Sequence, residues 1–300
     1  MTPDIHGKVI AITGAGRGIG REHALLLASM GARLVINDVG GGTDGEGRDQ
    51  GPAVALVDEI VGTGGEAVAN TDDMADSDGA DRLIATAVEN FGGLDALINN
   101  AGIIRDRMLI NMTDDDWDLS VRVNLRATFA PARAAARHWR ERSKAGDKVR
   151  AAIVNTSSES GVFANAGQSN YAAAKAGVAA LTEVWHKELQ RYGVRVNGIL
   201  PRARTRLTEN LMPARDENSF DEADPANVSP FVAYLVSDAC EFSGQVFVVG
   251  GRLVQRAAPW SLDPDWRLEA EGRWDIMDLG EAVEKVGLPT NEGRDTGFVR

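Results

Sequence analysis

Val9-Ile10-Ala11-Ile12-Thr13 runs without a charge into a cluster of glycines. An unbroken apolar run of this length suits a strand covered on both faces, as in a parallel sheet, whereas a half-exposed strand would alternate. Apolar positions then recur at helical spacing from Ile19 to Met30, Gly31 ends the helix, and a second apolar run covers Arg33 to Asp38. The alternation continues with a helix near Pro52 to Val61, a strand Ala67 to Asn70, a helix Asp78 to Phe91 and a strand Ala96 to Asn99. Beyond these the pattern predicts one long helical stretch from Thr113 to about Arg142, a strand Ala151 to Thr156 and a helix from about Asn170 to Arg191. Two more strands, Val194 to Leu200 and a last one at Gln245 to Val249, complete the reading. Strands alternating with helices at this spacing predict an α/β fold with a doubly wound parallel sheet. No proline- or serine-rich linker and no repeat divides the chain. Residues from 255 on hold Trp260, Trp266, Trp274 and an acidic helix-like piece at Asp278 to Val286, too short and broken for a core of their own. The expectation is one domain over 1–254, with 255–300 an extension packed on it or on a partner subunit.

Composition narrows the function classes. Acidic side chains outnumber basic ones by 44 to 32, and the net charge of -12 repels nucleic acid and anionic lipid unless a basic patch supplies attraction. No basic run does so. The single cysteine, Cys240, can neither close an internal disulfide nor build a zinc site. The four histidines (His6, His23, His138 and His186) have no carboxylate at ligand spacing, so no metal is expected. The start, MTPDIHGKVIAITG, does not have the form of a signal peptide, and no segment is apolar for the roughly 18 residues of a membrane span. The C-terminal Gly-Phe-Val-Arg is not a peroxisomal address, and a cytoplasmic location is expected.

Thr13-Gly14-Ala15-Gly16-Arg17-Gly18-Ile19-Gly20 lies between the first strand and the first helix, where an open α/β sheet binds ligands. Gly14 allows a sharp turn, Gly18 a close approach of backbone to a pyrophosphate, and Gly20 tight packing of helix on strand. The helix N-terminus, with Ile19, then faces the phosphate charge. Asp38 ends the second strand; its carboxylate suits both hydroxyls of an adenosine ribose and repels a 2′-phosphate. Capping of the Gly40–Gly42 turn is the structural alternative. Arg17 favours a phosphate, but no basic residue follows Asp38, so NAD is expected ahead of NADP. Asp72 and Asp73 follow the third strand, placed either for an adenine amino group or for helix capping. Asn99-Asn100-Ala101-Gly102 closes the fourth strand; its amides suit orphan backbone groups and Gly102 leaves room for a cofactor.

Tyr171 and Lys175 stand four apart on one helical face, and Ser158 precedes Tyr171 by thirteen residues. A phenol with a pKa of about 10 transfers protons poorly at neutral pH. A neighbouring ammonium and an oxidised nicotinamide would both lower that value, which makes a site for moving a proton on or off a hydroxyl while hydride passes to a cofactor.

The order glycine loop, Asp38, Asn-Asn-Ala-Gly, Ser158, Tyr171 and Lys175 resembles the short-chain dehydrogenase/reductase family over about residues 7 to 252. The resemblance implies a Rossmann-type sheet, Tyr171 as acid/base, Lys175 on the nicotinamide ribose, Ser158 on the substrate, and Asn124 holding a proton-relay water. It also implies a cofactor wall at Pro201, and a homodimer or homotetramer built on the alanine-rich helices that carry Asn124 and Tyr171. Asn37-Asp38-Val39-Gly40-Gly41, Ala101 to Arg107, Ala67 to Asn70 and Gly167 to Tyr171 are similar to the (3R)-hydroxyacyl-CoA dehydrogenase branch found in peroxisomal multifunctional enzymes. Arg202 departs from the glycine that many members carry after Pro201, and residues 204–230, the family's substrate lid, are the least alike.

The reading is therefore an NAD-dependent enzyme interconverting a secondary alcohol and a ketone on an acyl-CoA or steroid. Its alternatives are an NADP-dependent ketoreductase of a small carbonyl compound and a dinucleotide-binding regulator without catalysis. Arg105 and Arg107 are placed either to steer an acyl-CoA phosphate or to pair locally with Asp106, Asp114 or Asp115. Asp114 to Asp116 follow Thr113 at a helix start, where negative charge suits the macrodipole.

Overall fold

The computed structural model describes residues 4–42, 47, 49–206, 208, 219–258, 262–263 and 265–287. The chain alternates β1 (Val9–Thr13), α1 (Gly18–Ser29), β2 (Arg33–Asn37), α2 (Gly51–Gly62), β3 (Glu66–Asn70), α3 (Ser77–Phe91) and β4 (Ala96–Asn99). It continues through α4 (Asp114–Val121), α5 (Ala127–Lys144), β5 (Ala151–Thr156), α6 (Glu159–Phe163), α7 (Ser169–Leu189) and β6 (Val194–Pro201). It ends with α8 (Ser229–Val236), β7 (Val246–Gly250), β8 (Leu253–Ala257) and α9 (Ile276–Val286). One eight-stranded sheet results, ordered β3-β2-β1-β4-β5-β6-β7-β8. The β1–β7 pairs are parallel and β8 is antiparallel to β7. Strand order reverses between β1 and β4, so a crevice opens there at the carboxyl ends of the strands.

Apolar side chains of the inner strands alternate between two cores. Ile10, Ile12, Leu34, Ile36 and Ile98 pack with α1, α2 and α8, whereas Val9, Ala11, Val35, Leu97 and Ile153 pack with α3, α5 and α7. Each buried Ile or Leu contributes about 1.5–3 kcal/mol. Trp139 is wholly buried in the second core and satisfies its indole N–H on the Leu94 carbonyl at 2.7 Å. Ala127, Ala130, Ala132, Ala134 and Ala135 are also buried there, so these small residues serve packing within the subunit; Ala173 and Ala180 on α7 remain exposed. Among the described residues no helix is long and apolar enough to cross a membrane.

The long helical stretch is not one α-helix. Arg122–Arg126 winds as a π-helix between α4 and α5. Pro131, inside α5, cannot donate to the carbonyl four residues earlier, that of Ala127, and the register changes at that residue. At the start of α4, Thr113 and Asp116 form a reciprocal capping box. Three elements escape the sequence pattern. α6 has only five residues, and α8 (Ser-Pro-Phe-Val-Ala-Tyr-Leu-Val) is apolar all round and shows no period. β8 is an exposed edge strand, so β7 is not the last strand, and β8 runs across residue 254. Beyond it, α9 buries none of its residues, the Trp266 indole donates to the Gly287 carbonyl at 2.8 Å, and Trp260 lies outside the described residues.

Candidate active site

The glycine loop is fixed by close contacts at its two ends. Gly14 has φ +61, and a Cβ there would stand 2.7 Å from the Ala101 Cα; a Cβ on Gly20 would stand 2.5 Å from the Gly14 carbonyl. Gly18, at φ +56, opens α1 with its nearest neighbour, the Thr205 methyl, 3.6 Å from a Cβ. Arg17, the N-cap, makes no side-chain cap and no acid sits in the first turn, which leaves the leading N–H groups to an anion. Ile19 packs against the first core. The Thr13 hydroxyl accepts from the Asn100 and Ala101 amides at 3.0 and 3.1 Å, and Asn100 Nδ2 donates to the Gly14 carbonyl at 2.9 Å. Asn100 thus ties β4 to the loop. Asn99 does not cap backbone: it is buried and donates to Asn155 Oδ1 at 2.9 Å.

Asp38 accepts from the Gly16 amide at 2.8 Å and from the Gly40 amide at 2.7 Å, so it braces the glycine loop and caps the next turn while staying partly exposed. Arg17 Nη2 lies 3.9 Å from Asp49. Arg206 reaches the same region from beyond β6: burial, then the charge of Arg17, lowers its pKa, and Asp38 opposes them. Asp72 and Asp73 pair with Arg82 at 2.7 Å and Arg122 at 2.8 Å. Neither caps α3; Asp76 does.

Ser158, Tyr171 and Lys175 converge beyond the ends of β5 and β6. A Cβ on Gly161 would stand 2.5 Å from the Ala176 amide, so α6 lies directly on α7 and brings Ser158, its N-cap, beside Tyr171. Lys175 is 2% exposed, donates to the Thr156 carbonyl at 2.8 Å and lies 5.7 Å from the centre of the Tyr171 ring. Burial pushes the Lys175 pKa down to about 8. It pushes the Tyr171 pKa up to about 12; a hydrogen bond from Ser158 works against this and the charge of Asp106 adds to it. Among the protein's own groups burial therefore outweighs the lowering expected from the sequence.

Asn124 sits in the π-turn, fully buried. Its amide donates to the Ile103 carbonyl at 3.0 Å while its oxygen accepts from the Ile103 amide at 3.2 Å. A Cβ on Gly102 would stand 2.8 Å from Asn124 Oδ1 and 3.4 Å from Lys175 Nζ. Asn124, Gly102 and Lys175 therefore share one floor, and Pro201 ends β6 beside Val249. The Arg105 side chain pairs with buried Asp116 at 3.1 Å. Arg107 is exposed and donates to the Asp106 carbonyl at 2.9 Å. Gln168, just before α7, donates to both Asp106 oxygens, at 3.1 and 2.9 Å. The sequence pattern missed Glu159, paired with Arg202 from forty-three positions away; a separation that long leaves no periodic signal.

Residues 8–218 match the family model described as short chain dehydrogenase. The hydroxyacyl-CoA dehydrogenase ChsB1 of Mycobacterium tuberculosis is 43% identical over 289 residues, 93% of this chain and 88% of that protein. Peroxisomal multifunctional enzyme type 2 of Drosophila melanogaster is 40% identical over 255 residues, 85% of this chain but only 40% of that enzyme. The solved structure of a short chain dehydrogenase from Mycobacterium avium matches with a TM-score of 0.85 and 47% identity, covering 94% of this chain and 95% of that one. Both resemblances read from the sequence are borne out.

Proposed function

The chain belongs to the short-chain dehydrogenase family, and from that premise we propose that it is an NAD-dependent oxidoreductase interconverting a secondary alcohol and a ketone. The observation that carries the reading is the meeting of Ser158, Tyr171 and Lys175 beside the glycine cradle. That cradle fits a nicotinamide dinucleotide: nothing stands closer over Gly18 than the Thr205 methyl, 3.6 Å from a Cβ, and Gly102 lacks the Cβ that would crowd Asn124 and Lys175. Gly14, Gly18, Ile19, Gly20, Asp38, Ala101, Gly102, Lys175 and Pro201 would hold the group, which supplies the hydride acceptor and a positive ring. Asp38 carries negative charge at the expected ribose position and favours NAD, while Arg17 and Arg206 favour an added phosphate; the carboxylate braced on Gly16 and Gly40 is the fixed element of the three. Asp72 and Asp73 would border the adenine from their arginine pairs.

In the direction of oxidation, Ser158 donates to the substrate oxygen and holds it against Tyr171. The Tyr171 phenolate takes the hydroxyl proton as the carbinol carbon is oxidised; in reduction the phenol returns it. Lys175, anchored on Thr156, keeps positive charge against the ring face and so favours the phenolate. Asn124 fixes the Ile103 backbone beneath Lys175 and would hold the water that passes the proton on.

The substrate proposed first is 3-hydroxyacyl-CoA, in the (3R) form, and a hydroxysteroid second. ChsB1 is named a hydroxyacyl-CoA dehydrogenase, which supports the first. Met108, Leu109 and Ile110, all well exposed beside the Gln168 contact, offer an apolar surface to the body of either substrate. With Arg105 committed to Asp116, steering of a CoA phosphate falls to Arg107. Exposed Phe129 on α5 and Val184 on α7 support a homodimer or homotetramer through those helices. A panel of 3-hydroxyacyl-CoA thioesters, 17-hydroxysteroids and simple secondary alcohols, read by NADH absorbance, tests the reading. Oxidation of the thioesters ahead of free steroids supports the order given; indifference to the CoA moiety reverses it, and silence across the panel removes the enzyme reading in favour of a dinucleotide-binding regulator.

A further inference from the structure

Arg202 stands where many members of the family have glycine, and its partner explains what it does here. Its Nε donates to Glu159 Oε2 at 2.8 Å and its Nη2 to Oε1 at 2.7 Å, a two-pronged pair with side chains only 23% and 7% exposed. Desolvation offsets most of the attraction in such a pair, so net stability is a weak reason for it, whereas removing one partner strands a buried charge. The positions of the two residues are more informative. Glu159 follows Ser158, whose hydroxyl caps the Ser160 amide at 3.2 Å and lies near enough to the Tyr171 phenol to work against the rise in its pKa. Arg202 follows Pro201, and its own amide donates to the Val249 carbonyl at 2.8 Å. Gly250 lies so close that a Cβ would stand 2.5 Å from the Arg202 carbonyl, so the arginine backbone is wedged against the β6–β7 edge. The five-residue α6 is a single turn and cannot hold its own geometry.

We propose that the Glu159–Arg202 pair is a strut that ties α6 to the end of β6 and so sets Ser158 against Tyr171. Both are positioning residues, and neither touches the reacting atoms. The structural half of the proposal stands on the geometry alone; its kinetic half rests on the alcohol–ketone reading given above.

The test uses Glu159→Gln, Arg202→Met and the double variant, which replaces the pair by neutral groups of similar size and strands no charge. Lys175 and Asp106, the other charged groups beside the phenol, are untouched in all three. Crystal structures of the variants should show the Ser158 hydroxyl moved away from the Tyr171 hydroxyl relative to the crystal structure of the unmodified protein. The double variant should fold and bind NADH as the unmodified protein does, yet lose about tenfold or more in kcat with KM nearly unchanged, since small misplacements are that costly in a preorganised site. Both single variants should move the limb of the pH–rate profile that reports Tyr171 in the same, alkaline direction. Opposite shifts would mean that the pair acts through charge, and would overturn the strut; so would an unmoved Ser158 or an unchanged kcat and pH profile in the double variant. If the unmodified protein oxidises no alcohol while Ser158 moves in the variants, the functional reading fails and the strut stands.

Discussion

The Lys175 ammonium lies 5.7 Å from the centre of the Tyr171 ring and is anchored on the Thr156 carbonyl, so it meets the face of the phenol rather than its oxygen. A buried ammonium held to one carbonyl destabilises the fold to the extent that its pKa, about 8, falls below the ordinary 10.5. The folded protein then binds fewer protons than the unfolded chain between these values, so stability rises with pH across that window and the full cost remains below it. Lys175→Met should therefore melt at higher temperature near neutral pH, by up to about 3 kcal/mol less the lost Thr156 contact, with the gain shrinking toward the ordinary lysine pKa. Turnover should fall by about a hundredfold, because the phenolate loses its cation. A calorimetric series over pH checks the sign; a lower melting temperature at neutral pH contradicts it.

Asp106 raises the Tyr171 pKa through its charge while its carboxylate is held by Gln168. Replacing it with Asn removes the charge and keeps an oxygen for the Gln168 amide. The acid limb of kcat/KM for alcohol oxidation should move to lower pH. A shift to higher pH would mean that Asp106 orients the site rather than charging it.

Asp38 holds the Gly16 and Gly40 amides besides facing the expected ribose. Asp38→Ala should narrow the preference of kcat/KM for NAD over NADP by about tenfold or more, and cost about 1–2 kcal/mol through two stranded amides. Arg206→Ala, measured beside it, should weaken NADP use and leave the amides intact. A protein that prefers NADP before any substitution would show that Arg17 and Arg206 outweigh the carboxylate.

His23 is wholly buried between α1 and α8, with Nδ1 2.8 Å from the Ser229 hydroxyl, and burial pushes its pKa down to about 3 from 6.5. The unfolded chain takes up the proton first, so stability present above 6.5 is lost as pH falls, by about 1.4 kcal/mol per unit through this window. His23→Gln should flatten that acid slope in melting experiments. An unchanged slope would assign acid sensitivity to other groups.

The sheet was legible because its inner strands are covered on both faces and read as unbroken apolar runs; Val9–Thr13 and Ala151–Thr156 fall on the predicted residues. The eighth strand was not, since Leu253–Ala257 is an exposed edge whose pattern is that of a loop. Ser158, Tyr171 and Lys175 stood out through the order of the motifs and the family resemblance, and the fold brings them together. Their electrostatics were not legible, because the side of the phenol that an ammonium faces depends on where Thr156 offers its carbonyl. Arg202 was noticed as a departure, and only the fold shows the carboxylate of Glu159 that accompanies it.

The central claim is that the Tyr171 hydroxyl carries the proton of an alcohol–ketone interconversion, and Tyr171→Phe tests it most directly. Phenylalanine keeps the ring that Lys175 faces and removes the one atom that titrates. Single-turnover formation of NADH from a 3-hydroxyacyl-CoA should fall by at least about a thousandfold, while fluorescence titration shows NADH bound as tightly as by the unmodified protein. Undiminished turnover in that variant would contradict the account.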